Sequence, residues 1–423
     1  MKAKLIVMTV WCLLIFAVGI ILGGGGVGFF WWAYASVVHE QSVAPLTDLG
    51  IREETLSRDQ VNSYVKQLGD KHHEQSAACM IAAIVVGDDD RYFAFGKLPN
   101  GAEPDKDTIF ELASVGKTFT GLLLAEMVQS HEVSGSSTID SLLPPNAGVA
   151  NIDGHKISLL DLVTQSSGIP SLPSNMPSID PQNPYADYTV PLMYQELQQI
   201  KLEFAPGRNY GYSNLGFGLL GHVLALKAEK EYEALVVERI CDPLGMTDTR
   251  MTLSNDQRAR VATPHNGDQY VKVWEDVTMP GAGSFLSSAQ DMSKYMRAHW
   301  SRTDGALKRA MKLAVQKQRR TNSPQTAIGF GWHVDSENAL DIVWHNGGSG
   351  GSRSYVAMLP DKRIGICVLA NFAQAPVEEL GRKLVYLLLL QRSASDPAET
   401  DSPQALKPAI GVNSVRVTSP PGP

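Results

Sequence analysis

Residues 110–128 read Phe110-Glu-Leu-Ala-Ser114-Val-Gly-Lys117-Thr-Phe119-Thr-Gly-Leu122-Leu123-Leu-Ala-Glu-Met127-Val128. Phe119, Leu122, Leu123, Met127 and Val128 recur at a helical period. Ser114 therefore sits at or near the start of a buried helix, and Lys117 lies one turn further on. Side chains three apart share a helix face, so the hydroxyl and the amine can meet. A serine hydroxyl is a weak nucleophile and needs a base to take its proton. A lysine can be that base if burial lowers its pKa, and the helix N-terminus favours negative charge developing nearby. The same Ser-x-x-Lys pattern recurs at Ser63-Tyr64-Val65-Lys66, where it reads as a solvated helix face. Partners elsewhere in the chain must separate the two.

The 423 residues carry 43% hydrophobic and 19% charged side chains, ordinary values for a globular chain of one or two domains with a sizeable core. The net charge of −7 and the lack of a strong basic run give no reason to expect a nucleic acid partner. The N-terminus differs. Lys2 and Lys4 precede 5–22, 18 residues without a charge, followed by Gly23–Gly26 and Phe29-Phe30-Trp31-Trp32. This run is long enough for a bilayer, and its lysines place the N-terminus in the cytoplasm and the remainder outside. Residues 1–35 thus read as a membrane anchor, with a signal peptide cleaved after Ala33-Tyr34-Ala35 as the alternative. Cys79, Cys241 and Cys367 fit neither a disulfide framework nor a metal site and read as small core residues.

In order, 36–55 reads as a linker and 56–68 as a helix. An apolar strand, 78–86, and an alternating one, 91–95, form a hairpin around Gly87-Asp88-Asp89-Asp90. That acidic turn lacks calcium-loop spacing and reads as solvated. The Ser114 helix follows. From 131 to 280 helical patterns alternate with Pro- and Ser-rich loops, a helical subdomain; 171–191 holds five prolines and reads as a surface excursion. Residues 204–214 present Tyr212 and Asn214 from a turn just ahead of another helix. After a helix at 288–300 and a loop-rich stretch to about 326 come strands at 341–345, 354–359 and 364–371, then an apolar helix at 377–390, too short for a membrane span. Residues 392–423 read as disordered. The fold expected is α/β of the α+β type: an antiparallel five-stranded sheet built from both chain ends and flanked by helices, in a domain over 56–391, with the helical subdomain inserted and a cleft between them.

Three elements meet at that cleft: Ser114 and Lys117, Tyr212 and Asn214, and His345-Asn346-Gly347-Gly348 after an apolar strand. The order Ser-x-x-Lys, Tyr-x-Asn, His-x-Gly resembles the serine β-lactamase and DD-peptidase superfamily, most of all the class C β-lactamase group with its D-Ala-D-Ala carboxypeptidases and related esterases. Ser167-Gly168-Ile169-Pro170, Pro206-Gly207, Tyr212-Ser-Asn-Leu-Gly-Phe217 and Asp242-Pro-Leu-Gly-Met246 add to the resemblance. His265-Asn266-Gly267 repeats the third motif but sits in a polar loop with no apolar strand before it.

The resemblance implies a β-lactamase/transpeptidase-like fold and an acyl-enzyme on Ser114. Lys117 and Tyr212 share the proton traffic, and either can start neutral. Asn214 holds Lys117 and the substrate amide, and the backbone N–H groups of Ser114 and Gly348 form the oxyanion hole. His345 joins Ser114, Lys117, Tyr212 and Asn214 in the catalytic set, and Asn346 and Gly347 bind the substrate, a small molecule or peptidoglycan-type peptide; no cofactor or metal is expected. The implied function is an extracytoplasmic serine hydrolase of D-amino peptides, β-lactams or simple esters. The rival is a penicillin-binding sensor or scaffold that acylates without turnover, which the mere four residues ahead of the apolar run disfavour. Two departures stand out. Relatives commonly carry Lys-Thr-Gly as the third motif, so His345 and Asn346 put carboxylate recognition in doubt. Gln165 stands where relatives often have His.

Overall fold

The computed structural model describes residues 55–391, apart from 74–78, 146, 149–153, 178, 181, 302–304 and 338. The apolar run at 5–22, the segment to 54 and the tail at 392–423 lie outside the described residues. Among the described residues no helix is long and apolar enough to cross a membrane.

An antiparallel sheet organises the chain. Its strands are β1 (Met80–Val86), β2 (Asp89–Phe95), β3 (Arg319–Arg320), β4 (Thr326–Ile328), β5 (His333–Glu337), β6 (Leu340–Gly348), β7 (Arg353–Leu359) and β8 (Ile364–Ala370), in the order β2-β1-β8-β7-β6-β5-β4-β3. The N-terminal hairpin pairs with the last strand, Met80 against Ala370 and Val86 against Ile364, so both chain ends build one sheet. The sheet has eight strands, not the five expected. The three additions are short, and β5 is written in polar residues (His333, Asp335, Ser336) although its first half is buried. Those polar groups find partners: Asp335 accepts from Thr326 at 2.7 Å. The stretch to 326, expected to be loop-rich, also contains a helix, Ala306–Ala314, whose Ala310, Met311 and Ala314 are buried.

Side chains alternate across the strands and feed two cores. Ile81, Ala83, Val85, Val343, Val356, Cys367 and Leu369 face the helical block. Met80, Ala82, Ile84, Trp344, Tyr355, Ile366 and Val368 face α1 (Arg58–His73) and α6 (Val377–Leu389). The apolar C-terminal helix therefore lies on the sheet, and layers of helix, sheet and helix result. Cys79, Cys241 and Cys367 are free and buried. The hairpin turn is tighter than expected, Gly87 and Asp88 alone, with Gly87 at φ 62°. Its acids meet arginines, Asp88 with Arg363 at 2.9 Å, Asp89 with Arg58 at 2.7 Å, and Asp90 with Arg297. Among the described residues no cluster of His, Cys, Asp or Glu is arranged to hold a metal.

On the block side, α2 (Lys117–Gln129) is buried from Lys117 through Ala125, as expected for a helix apolar on all sides. Further along come α3 (Asn214–Ala228), α4 (Ala289–Ala298) against β1 and β8, and α5 (Ala306–Ala314) against α2.

Candidate active site

Ser114 lies in a 3₁₀ turn, Ala113–Gly116, that runs straight into α2. Ala113 is left-handed at φ 45°, a conformation that costs a non-glycine residue on the order of 1–3 kcal/mol. The turn is clamped from two sides by close backbone approaches. A Cβ on Gly283 would come within 2.5 Å of the Ala113 carbonyl oxygen, at φ 147°. A Cβ on Gly347 would meet the Leu112 carbonyl at 2.3 Å and the Ser114 nitrogen at 3.0 Å. Both positions need glycine for that reason.

The half-buried Ser114 hydroxyl receives two groups. Tyr212 Oη donates to Ser114 Oγ at 2.7 Å, and Lys117 Nζ lies 3.2 Å away. Tyr212 is set by Ser213, which caps α3 by accepting from Gly216 N–H and donates to the Pro170 carbonyl at 2.7 Å. Gln165 steadies the same loop: its side chain accepts the Ser213 N–H at 2.8 Å. Asn214, the first residue of α3, accepts from Lys117 Nζ at 2.7 Å, and the Ala282 carbonyl accepts at 2.5 Å.

These contacts define the amine. A neutral lysine has two N–H bonds and one lone pair. With the two bonds given to Asn214 and Ala282, the lone pair is left for the Ser114 hydroxyl. Burial pulls Lys117 down from the usual lysine range to about 7, against Asp276, which favours the charged form. That drop corresponds to roughly 5 kcal/mol of difference between the two protonation states. Tyr212 moves the other way: burial holds its phenol above the ordinary range, opposed by its bond to Ser114. Near neutral pH the site thus combines a partly neutral amine with an intact phenol.

His345 is buried on β6, its ring 5.3 Å from that of His333. Its Nδ1 lies 2.6 Å from the Asn346 carbonyl, which fits an Nδ1–H donor. Burial, then the neighbouring His333 and Lys117, push its pKa well below the ordinary imidazole value. The side chain of Asn346 emerges on the opposite face and donates to Glu378 on α6 at 2.7 Å. Gly347 and Gly348 complete β6, and Gly348 pairs with Arg353 on β7. The Arg353 guanidinium donates to the carbonyls of Ser349 and Ser352.

The look-alike motifs lie apart from this cluster. Ser63 and Lys66 are exposed on α1. His265 belongs to a small hairpin, with its ring 5.1 Å from Phe372.

Three neighbours carry no sequence signal. The Ala282 carbonyl is a backbone group. Asp276 is a buried acid in a motif-free loop. Glu111 is buried beneath the Gly-rich turn, accepting from Trp274 N–H at 2.9 Å and from Ser349 and Ser352 at 2.8 Å, and desolvation raises its pKa. Only the small-residue run Gly281-Ala282-Gly283 marks a close approach in the sequence.

The Beta-lactamase family model matches residues 61–391. The D-alanyl-D-alanine-carboxypeptidase/endopeptidase AmpH of Escherichia coli (strain K12) is 28% identical over 345 residues, 78% of this chain and 88% of its own. A beta-lactamase of Yersinia enterocolitica is 24% identical over 335 residues, 70% of this chain and 83% of its own. The crystal structure of a beta-lactamase/D-alanine carboxypeptidase from Pseudomonas syringae shares the fold, with a TM-score of 0.68 at 21% identity over 80% of this chain and 99% of that one.

Proposed function

Because this chain belongs to the Beta-lactamase family and is a serine hydrolase, we propose that it hydrolyses D-amino peptides, β-lactams or simple esters through an acyl-enzyme on Ser114. The observation that carries the reading is the placing of one hydroxyl, Ser114 Oγ, between Tyr212 Oη at 2.7 Å and the buried Lys117 Nζ at 3.2 Å. Lys117 takes the hydroxyl proton as Ser114 Oγ bonds to the substrate carbonyl carbon. The backbone N–H groups of Ser114 and Gly348 receive the oxyanion; one such donor is worth on the order of 2.7–4 kcal/mol. Tyr212 passes a proton to the leaving nitrogen or oxygen as its bond to the carbonyl carbon breaks. The proton on Lys117 returns to Tyr212; water then attacks the ester carbon as the same pair of groups takes one of its protons, the bond from Ser114 Oγ to that carbon breaks, and the proton passes to Oγ to restore Ser114. Asn214 orients Lys117 and the substrate amide.

The names of the relatives, a carboxypeptidase/endopeptidase and a beta-lactamase, support the D-amino peptide and β-lactam classes. Simple esters enter through the third motif. Buried and well below its ordinary pKa, His345 supplies a neutral ring rather than a cation, and Asn346 is turned towards Glu378. Short p-nitrophenyl esters should therefore be hydrolysed readily and penicillins weakly. For a matched pair of substrates with and without a carboxylate, the ratio of kcat/KM should stay flat from about pH 5.5 to 8, the window across which a normal imidazole would charge. A ratio that climbs as the pH falls would restore His345 as a cationic anchor.

The reaction is assigned to the extracytoplasmic side, with the protein held by residues 1–35, on the strength of the lysines ahead of the 18-residue apolar run. A reporter fused after residue 391 should be active only outside the cytoplasm; activity inside would refute this placement. The decisive experiment for the chemistry is incubation with a fluorescent penicillin and a chromogenic ester, followed by localisation of the adduct.

A further inference from the structure

Glu111 ends the short strand Ile109–Glu111, three residues ahead of Ser114, and is buried. The proposed chemistry gives it no step. A carboxylate taken out of water is stable only where donors converge on it. Three do so here, from two distant stretches of chain. Oε1 accepts the Trp274 N–H at 2.9 Å, and Oε2 accepts the hydroxyls of Ser349 and Ser352, each at 2.8 Å. An ionised carboxylate suits all three, because it accepts on both oxygens and donates nothing.

These contacts sit beside the site. Ser349 follows Gly348 directly, and Ser349 and Ser352 close the turn between β6 and β7. The Ser349 N–H donates to the Ser352 carbonyl at 3.1 Å, and the Ser352 N–H donates to Ser349 Oγ at 3.2 Å. One residue on from Glu111, the Leu112 carbonyl accepts from Ser354 Oγ at 2.6 Å. The segment leading to Ser114 is thus fastened to the β6–β7 hairpin at two consecutive residues, Glu111 at the turn and Leu112 on the strand. Trp274 adds a third contact. A Cβ on Gly350 would lie 3.0 Å from the Trp274 indole nitrogen, so the ring rests against the same turn. Glu111 therefore holds the turn directly through two serines and from its flank through Trp274. The Ser114 and Gly348 N–H groups depend on such ties for their spacing, since Glu111 and Ser349 are 238 residues apart in the chain.

We propose that Glu111 is a positioning residue of the oxyanion hole, which fixes the Gly348 N–H against the Ser114 N–H through Ser349 and Ser352. This rests on the role proposed above for those two N–H groups. Misplacing such a group by about 1 Å can cost on the order of 10²-fold in rate. In the full-length protein, single-turnover acylation by a chromogenic ester is measured per site that labels at Ser114. Glu111→Ala should acylate about 10–10²-fold more slowly, with the half-saturating ester concentration changed by less than about threefold. A boronic acid, whose tetrahedral adduct on Ser114 presents an oxygen to the same N–H groups, should lose affinity by a similar factor.

A second variant spares Glu111 and the segment that carries the nucleophile. Ser349→Ala combined with Ser352→Ala should slow acylation several-fold. Adding Glu111→Ala to that pair should cost less than the product of the separate losses, because the carboxylate acts through the two hydroxyls. A merely structural role would lower the melting temperature and the fraction of chains that label, while the rate per labelled site and the boronate affinity stayed at wild type. That result would overturn the proposal, as would fully multiplicative losses. If Glu111→Ala does not fold, the serine variant decides alone, and acylation at the wild-type rate would refute the positioning role. A wild-type protein that never labels at Ser114 would instead remove the acyl-enzyme reading itself.

Discussion

Ser114→Ala should abolish covalent labelling by a fluorescent penicillin and lower ester hydrolysis by about 10⁴-fold or more, the scale of losing a nucleophile. No neighbouring hydroxyl can replace it. Tyr212 Oη already serves Ser114 Oγ, and its phenol is held protonated. Substrate binding should survive, because the backbone donors at Ser114 and Gly348 remain. Ser63→Ala should leave labelling intact, since Ser63 and Lys66 stand exposed on α1. Steady-state ester hydrolysis and gel fluorescence on both variants check this. Labelling lost with Ser63 and kept without Ser114 would reverse the site.

Lys117→Ala and Tyr212→Phe should each slow acylation by about 10²–10⁴-fold, the range for a lost proton-transfer partner. The double variant should lose less than the product of the two, because both groups serve one hydroxyl. The pH dependence follows from the direction of the Lys117 shift. The protonated amine has no lone pair for Ser114, so acylation should rise with pH on the acid side and level off above about 7. In Lys117→Ala that limb should vanish, leaving a low, flatter profile. Single-turnover acylation rates from pH 5 to 9 measure both effects. Fully multiplicative losses would mean that the two groups work in separate steps.

The site was legible wherever chemistry is carried by a residue type at a fixed place in an element. Ser114 and Lys117 open a helix whose period shows in Phe119, Leu122, Leu123 and Met127. Tyr212 and Asn214 flank a capping serine. His345 follows the apolar residues Ile342, Val343 and Trp344 within β6, whereas His265 stands in a polar stretch. The same logic recovered the hairpin β1–β2, the strands β6 to β8 and the C-terminal helix, all written in long apolar or alternating runs.

What escaped depends on tertiary partners. β5 buries His333 and Asp335 because Tyr210, Thr326 and Arg382 await them, and no local pattern announces such partners. Arg319–Arg320 is too short for any period to show. Asn346 followed His345 in a motif, yet strand alternation turns the two side chains to opposite faces, one beside the ring of His333 and one towards Glu378. Asp276 and the Ala282 carbonyl could not be read at all, since burial of an acid and the direction of a carbonyl are properties of the folded loop.

Peptide mapping by mass spectrometry, after the full-length protein is incubated with a penicillin or an activated ester and quenched in acid, tests the proposed chemistry most directly. The acyl group should be found on the peptide carrying Ser114, at up to one group per chain, and should turn over with water. An adduct confined to any other residue, or full hydrolysis with Ser114 never modified, would contradict it.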